Sequence, residues 1–466
     1  MIESRSARIL GWALPILVMV IGAWQRFANL ARPKGFIFDE VYYVTGARQL
    51  LRHGVEYDYI KHQTVFVVHP PVGKWIIAAG IKLFGDNEFG WRFAVATLGS
   101  LSILILARAA KRMFQSTTLG VIAGILLTFD GMHFVHSRVS LLDPILMFWS
   151  LCAFALLLID RDESRAYVAM WGEFGRRPFR LLAGVCLGLA SGTKWSGLYI
   201  TAAFALLSLY WDLSAKRRIS RPLTNRNILS AGFALGVLPI ITYLATWIGW
   251  FRSSLGWDRH WADTQTSSWS FIPRSLRSLW HYHYEMLFFH THLHTPHPYQ
   301  ANPFGWLILR RPTAFYYFTP PTGTNGCMAK VCSQEVTALG NPLIWWSAIL
   351  ALLYLLYVVF RKPTWQAGAI LTGFAAGYLP WFAFLHRTVF SFYGIVFLPW
   401  LVLAVTYCLG EILGTPESSK RRLRIGFVSA FLIATIALFF YFLPVLDGQV
   451  IPYSQWHSKM WFSSWI

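Results

Sequence analysis

Leu10-Gly-Trp-Ala-Leu-Pro-Ile-Leu-Val-Met-Val-Ile-Gly-Ala-Trp-Gln-Arg-Phe27 is an apolar run with its one charge near the far end, and Arg5 and Arg8 stand just before it. Its length approaches the roughly 20 residues that cross a bilayer as a helix. It is too long for the apolar core of a secretory leader and has no small-residue cleavage site, so it reads as a retained membrane span. Working outward, similar runs recur at 93–107, 119–134, 141–159, 181–191, 196–210, 229–247, 343–360, 368–385, 390–409 and 425–443. The expectation is an all-α polytopic membrane protein of about 11 transmembrane helices, with residues 1–466 as a single membrane domain. Composition agrees: 55% of residues are hydrophobic and 13% charged, against roughly 45–50% and about 25% in soluble domains.

The formal charge of +20 does not point to nucleic acid, because the basic residues flank apolar runs instead of covering one soluble face. The clusters Arg108/Lys111/Arg112, Arg161/Arg165/Arg176/Arg177/Arg180, Lys216/Arg217/Arg218, Arg361/Lys362 and Lys420/Arg421/Arg422/Arg424 fall at every second connection. The positive-inside rule then gives a multi-pass protein of the cell membrane with a cytoplasmic N-terminus and an exoplasmic C-terminus. On the exoplasmic side are expected residues 28–91, three turns bearing Arg138, Lys194 and Arg387, residues 248–341, and the tail after Asp447. Cys152, Cys186 and Cys408 lie in apolar runs, which leaves Cys327 and Cys332 as the pair able to bond. An exoplasmic loop permits that disulfide, with two free thiols as the alternative. No heptads, dinucleotide fingerprint or phosphate-cradling glycine loop occur, so a cytosolic nucleotide-sugar or ATP site has no motif behind it.

Residues 28–91 form the expected catalytic loop. They contain Gly35-Phe-Ile-Phe-Asp39-Glu40-Val41-Tyr-Tyr-Val44-Thr-Gly-Ala47-Arg-Gln-Leu-Leu51, whose apolar positions suit one face of a short interfacial helix. Asp39 and Glu40 open that helix. They cap it, or Asp39 serves as a general base taking the proton of a hydroxyl. Glu40, projecting about 100° away, would orient Asp39 or a basic neighbour. On the same side stand His69 and Lys74 in His69-Pro-Pro-Val-Gly-Lys74, with Arg92, Arg138, Lys194 and Arg387. Such a set suits an anionic phosphate, although any one of these cations could simply snorkel. Asp143 is expected to pair with a basic group. Trp195, beside Lys194, is singled out for a lipid or sugar contact, while most other tryptophans read as interfacial anchors. His281, His283, His290, His292, His294 and His297 raise the question of metal, but their spacing matches no closed zinc site, and an interfacial or acceptor-groove role is preferred.

Phe38-Asp-Glu-Val, His69-Pro-Pro-Val-Gly-Lys, Arg92-Phe-Ala-Val-Ala-Thr-Leu-Gly, Ser137-Arg-Val-Ser-Leu-Leu-Asp143 and Ser191-Gly-Thr-Lys-Trp-Ser-Gly-Leu, in that order, resemble successive motifs of the protein O-mannosyltransferase family. Ala338-Leu-Gly-Asn-Pro-Leu-Ile-Trp-Trp and Tyr378-Leu-Pro-Trp with His386-Arg387 resemble its bacterial branch, so the likeness runs over nearly the whole chain. The resemblance implies a GT-C-type glycosyltransferase that moves mannose from a polyprenyl-phosphate-mannose lipid to Ser/Thr hydroxyls of exported polypeptides by an inverting single displacement. It implies no nucleotide sugar at the site; no cofactor is expected, no metal-ligand set is assigned, and metal dependence is not evident. Asp39 matches the catalytic member of the family's acidic pair, and Arg92 matches an arginine tied to the donor phosphate. Eukaryotic members carry a β-trefoil insertion where this chain has only residues 248–341, so acceptor selection falls to the membrane domain, its loops or a partner such as the secretion machinery. The alternatives are transfer of another carrier-linked sugar to a lipid or glycan and, less favoured, a multispan transporter or flippase.

Overall fold

The computed structural model describes residues 5–266, 269–415 and 419–466. The chain begins with α1 (Arg5–Phe27) and α2 (Glu40–His53), a small hairpin of β1 (Tyr57–Asp58) and β2 (Gln63–Thr64), then α3 (Val72–Phe84) and α4 (Glu88–Phe114). Next come α5 (Thr117–Thr128), α6 (Gly131–His136), α7 (Asp143–Trp171), α8 (Pro178–Ser191), α9 (Gly197–Arg217) and α10 (Asn225–Gly232). A π-helical turn at Phe233–Val237 joins α10 to α11 (Leu238–Thr246), and α12 (Ile248–Arg252) and α13 (Arg274–His292) follow. The last part holds β3 (Thr313–Phe318), β4 (Cys332–Ala338), α14 (Pro342–Arg361), α15 (Trp365–Tyr378), α16 (Leu398–Leu413), α17 (Arg421–Leu446), β5 (Val450–Pro452) and α18 (Tyr453–Lys459).

Eight helical stretches among the described residues are long and apolar enough to cross a bilayer: Arg8–Phe27, Glu88–Phe114, Asp143–Trp171, Gly197–Arg217, Asn225–Thr246, Pro342–Arg361, Trp365–Phe384 and Arg421–Leu446. The chain is a multi-span membrane protein. The other three expected runs fall on α5, α8 and α16, of 12, 14 and 16 residues, short of the roughly 20 that span. By length and composition eight stretches among the described residues qualify, and the expected count of about 11 is not confirmed. The shortening has local causes. Past α5, Asp130 accepts from His133 N at 2.9 Å and starts α6 as a separate helix, and Pro399 sits in the first turn of α16, where its missing N–H costs nothing. Conversely, α7 runs on through Asp160-Arg161-Asp162-Glu163, where the apolar pattern stops, because ion pairs hold those charges: Arg161 meets Asp162 at 2.8 Å, and Asp160 is bound by Arg177.

Hydropathy does not reveal the two small antiparallel sheets. β3 and β4 pair with Thr313 opposite Ala338, with a bulge between Ala314 and Tyr316. β5 adds to the other edge of β4 with Cys332 opposite Pro452. The tail after Asp447 and residues 248–341 are thereby joined in one layer, and a disulfide links Cys327 to Cys332 at the start of β4. Residues 28–91 join the same layer: Val67 N donates to Tyr282 Oη at 3.0 Å, and His290 Nε2 donates to Val68 O at 2.7 Å. Beneath it, α3 and α4 approach so closely that a Cβ on Gly80 would stand 2.3 Å from Gly90 O, so only glycine fits there. The far ends of the helices carry a buried charge network in which Asp212 binds Arg177 at 2.6 Å and Arg180 at 2.7 Å.

Candidate active site

The loop layer, α2, α3 and the turn after α8 border a cavity of about 440 Å³ lined by Asp39, Tyr43, His69, Lys74, Lys194 and Arg387, with His290, Phe390 and Tyr393. Asp39 occupies the residue before α2, yet its side chain makes no capping bond. Its carboxylate faces the cavity, where Oδ2 accepts from Tyr43 Oη at 3.3 Å, one turn along the helix. The preceding Phe38 has φ +49, a left-handed conformation costly for a bulky residue. It is held by stacking on Phe315 at 4.8 Å and an edge contact with Phe392 at 5.4 Å, which fixes the direction in which Asp39 leaves the chain. Burial pushes the Asp39 carboxyl up to about 6, with Asp143 pushing the same way and Lys194 and Tyr43 pulling back.

Opposite Asp39 the cationic groups fall into two kinds. Lys194 Nζ donates to Asp143 Oδ1 at 2.9 Å and Oδ2 at 3.1 Å and lies 4.3 Å from the centre of the Tyr393 ring. Lys74 is tied to Glu56 and passes beside Gly46, where a Cβ would meet Lys74 Cδ at 2.8 Å. Arg387 is different: among the described residues no carboxylate pairs with it, its buried Nε has no partner, and its Nη2 donates to His290 Nδ1 at 3.4 Å. Because His290 Nε2 donates to Val68 O, Nδ1 is the acceptor nitrogen, and the ring must be neutral. Burial holds His290 down at about 4 and His69, stacked on it at 5.2 Å, well below the usual imidazole value. His69 Nδ1 is buried with no partner.

Four expected site residues lie elsewhere. Arg92 is fully buried, and its donors go to Glu40 Oε1 at 2.8 Å, Glu40 Oε2 at 2.9 Å and the carbonyls of Leu30, Pro33 and Gly35, leaving none for a phosphate. Glu40 is buried in that pair and also accepts from Ile37 N and Ser140 N, both at 2.9 Å, so it orients a basic neighbour and does not face the cavity. Arg138 donates to the carbonyls of Arg26, Ala28 and Asn29 and closes the end of α1. Trp195 turns away from Asp39: its Nε1 donates to Tyr243 Oη at 3.0 Å, and its ring lines a largely apolar cavity of about 380 Å³ with Leu198, Leu235 and Ile240. Sequence reasoning missed Tyr43 and Tyr393, although Tyr43 stands at the i+4 position from Asp39. Of the six histidines, His290 alone lines the Asp39 cavity, while His281 stacks on Trp261 at 4.2 Å and His283 meets Tyr243 Oη at 2.6 Å. Among the described residues no three His, Cys, Asp or Glu side chains converge as a metal set.

This helical frame, with a carboxylate-bearing first loop over the helix ends, is the GT-C fold of membrane glycosyltransferases. It matches the Saccharomyces cerevisiae protein O-mannosyltransferase Pmt1-Pmt2 complex bound to the sugar donor with a TM-score of 0.77 at 17% identity, over 100% of this chain and 93% of that one. The chain belongs to the dolichyl-phosphate-mannose-protein mannosyltransferase family: the model of that description matches residues 16–251, and the C-terminal four TMM region of protein-O-mannosyltransferase matches 275–465. The polyprenol-phosphate-mannose–protein mannosyltransferase of Mycobacterium tuberculosis is 36% identical, over 98% of this chain and 92% of that protein. Its counterpart of the same name in Corynebacterium glutamicum is 30% identical, over 97% and 93%.

Proposed function

We propose that this enzyme moves mannose from a polyprenyl-phosphate carrier to Ser or Thr hydroxyls of a polypeptide, by one inverting displacement in the Asp39 cavity. The observation that carries the reading is the pairing of opposites there: a carboxylate that among the described residues has no capping or ion-pair bond faces the same space as Arg387, a cation that among them has no carboxylate. In the transfer, Asp39 takes the hydroxyl proton as the hydroxyl oxygen bonds to the anomeric carbon. The bond from that carbon to the phosphate oxygen breaks, and its electron pair leaves with the phosphate. Arg387 and the Lys194–Asp143 pair meet the growing negative charge, Arg387 by the forked geometry that suits phosphate. Neutral His69 and His290 add polar contacts without competing charge. The apolar cavity behind Trp195, next to Lys194, accepts the start of the isoprenoid chain.

The same reading sets the orientation. Asp39, the tail after Asp447 and the Cys327–Cys332 disulfide share one layer, and a disulfide favours an oxidising compartment. The basic clusters gather at the other helix ends, as cytoplasmic ends do. The site then faces the exoplasm, and the N-terminus the cytoplasm. With cationic side chains carrying the phosphate charge, the reading assigns no metal, so transfer persists in excess chelator.

The test is incubation of the purified enzyme with radiolabelled polyprenyl-phosphomannose and a Ser/Thr-rich peptide, followed by alkaline release of the sugar. Label on the peptide is the expected result, with inverted anomeric configuration on the intact glycopeptide and with release of the sugar by β-elimination. Label recovered only in lipid or free glycan would overturn the acceptor assignment.

A further inference from the structure

A cavity of about 970 Å³ opens at the helix ends remote from Asp39, between α7, α9 and α15. The active-site residue Asp143 begins α7, and Arg165 stands near its other end; the helix has 29 residues, about 44 Å at 1.5 Å each. The two sites are therefore separated by the hydrocarbon thickness of a bilayer, about 30 Å. Nothing in the transfer chemistry uses this second cavity.

Its lining is split by polarity. One end carries Arg165, Arg218 and Ser214; the rest is apolar and runs along α9 and α15 past Leu206 and Ala369. Leu206 is 68% exposed and Tyr210 61%, so the apolar part opens sideways between the spans. The arginines at the polar end are not neutralised. The neighbouring acid, Asp162, is taken by Arg112 at 2.9 Å and Arg161 at 2.8 Å. Arg165 Nη2 donates to Ser214 Oγ at 2.8 Å, while its Nε is buried with no partner. Among the described residues neither Arg165 nor Arg218 has a carboxylate within ion-pair distance. The positive-inside rule asks only for cations on this side; it does not ask that two of them face a cavity with an apolar flank.

We propose that this cavity binds an anionic phospholipid, its phosphate between Arg165 and Arg218 and its acyl chains along α9 and α15. Charge complementarity fixes the headgroup, since cytoplasmic-side basic pockets between spans attract anionic lipid phosphates. The sideways apolar opening fixes the source as a lipid and not a free ion.

The test is native mass spectrometry of the purified full chain after incubation with phosphatidylglycerol or with phosphatidylcholine of equal chain length. A further arm adds millimolar inorganic phosphate to the phosphatidylglycerol sample. Wild type is expected to retain phosphatidylglycerol over phosphatidylcholine, and Arg165→Gln with Arg218→Gln to lose about fivefold in that retention per arginine. Gly368→Phe is the second variant. Gly368 lines the cavity and has open space where a Cβ would stand, so the ring fills the apolar part with both arginines kept. It should lower retention while the thermal unfolding midpoint without added lipid stays that of wild type. Equal retention of the two lipids by wild type, or an undiminished phosphatidylglycerol preference in both variants, overturns the proposal. Displacement of phosphatidylglycerol by inorganic phosphate overturns the lipid assignment.

Discussion

Asp39 and Glu40 are neighbours in sequence with opposite environments, and the difference decides their chemistry. Asp39 faces a cavity, and burial lifts its carboxyl to about 6. A base acts only when ionised, so transfer should rise with pH through about 6 and level off above it; a profile flat down to pH 5 would contradict the assignment. Arg387→Gln should lower kcat/KM by about 10²–10³, the scale of losing one charge-stabilising donor, with the fold intact by circular dichroism. Glu40→Gln should act through stability, because Arg92 would be left buried and short of its partner at a cost of about 3–5 kcal/mol. Unfolding in a thermal series checks this, and an unchanged midpoint would contradict it. The sequence made Asp39 legible, because an acidic pair opening a helix beside apolar positions is a local pattern. It misread Arg92 and Arg138, since the number of carbonyls that converge on a guanidinium depends on where distant segments end.

At the scale of elements, periodicity revealed the helices and missed what joins them. α5, α8 and α16 were legible as apolar runs, but the chain around their ends is set locally, by the Asp130 cap and the Gly192 amide through hydrogen bonds and by Pro399 through its missing N–H, and not by hydropathy. The β3–β4–β5 sheet was hidden because its strands come from two segments far apart in the chain. The Cys327–Cys332 bridge closes a short loop, and a loop of that size limits its contribution to about 2 kcal/mol. Replacing both cysteines with serine should speed proteolysis within residues 313–338 and leave transfer within about threefold of wild type, since β4 keeps both strand partners. Loss of most transfer would contradict the purely structural role.

For the whole molecule, charge asymmetry and fold lead to one arrangement: a loop layer with the site at one end of the spans, basic clusters at the other. An impermeant thiol reagent applied to intact cells should modify Ile60→Cys, a position 90% exposed in the first loop, and spare Ser220→Cys after α9; the reverse pattern would invert the topology. The central claim, that Asp39 is the base for mannosyl transfer in this cavity, is tested most directly by comparing wild type with Asp39→Asn for both donor binding and peptide mannosylation. The account predicts donor affinity within a few-fold of wild type and transfer reduced by about 10²–10⁴, the range of general-base catalysis. Transfer by Asp39→Asn at the wild-type rate would contradict it.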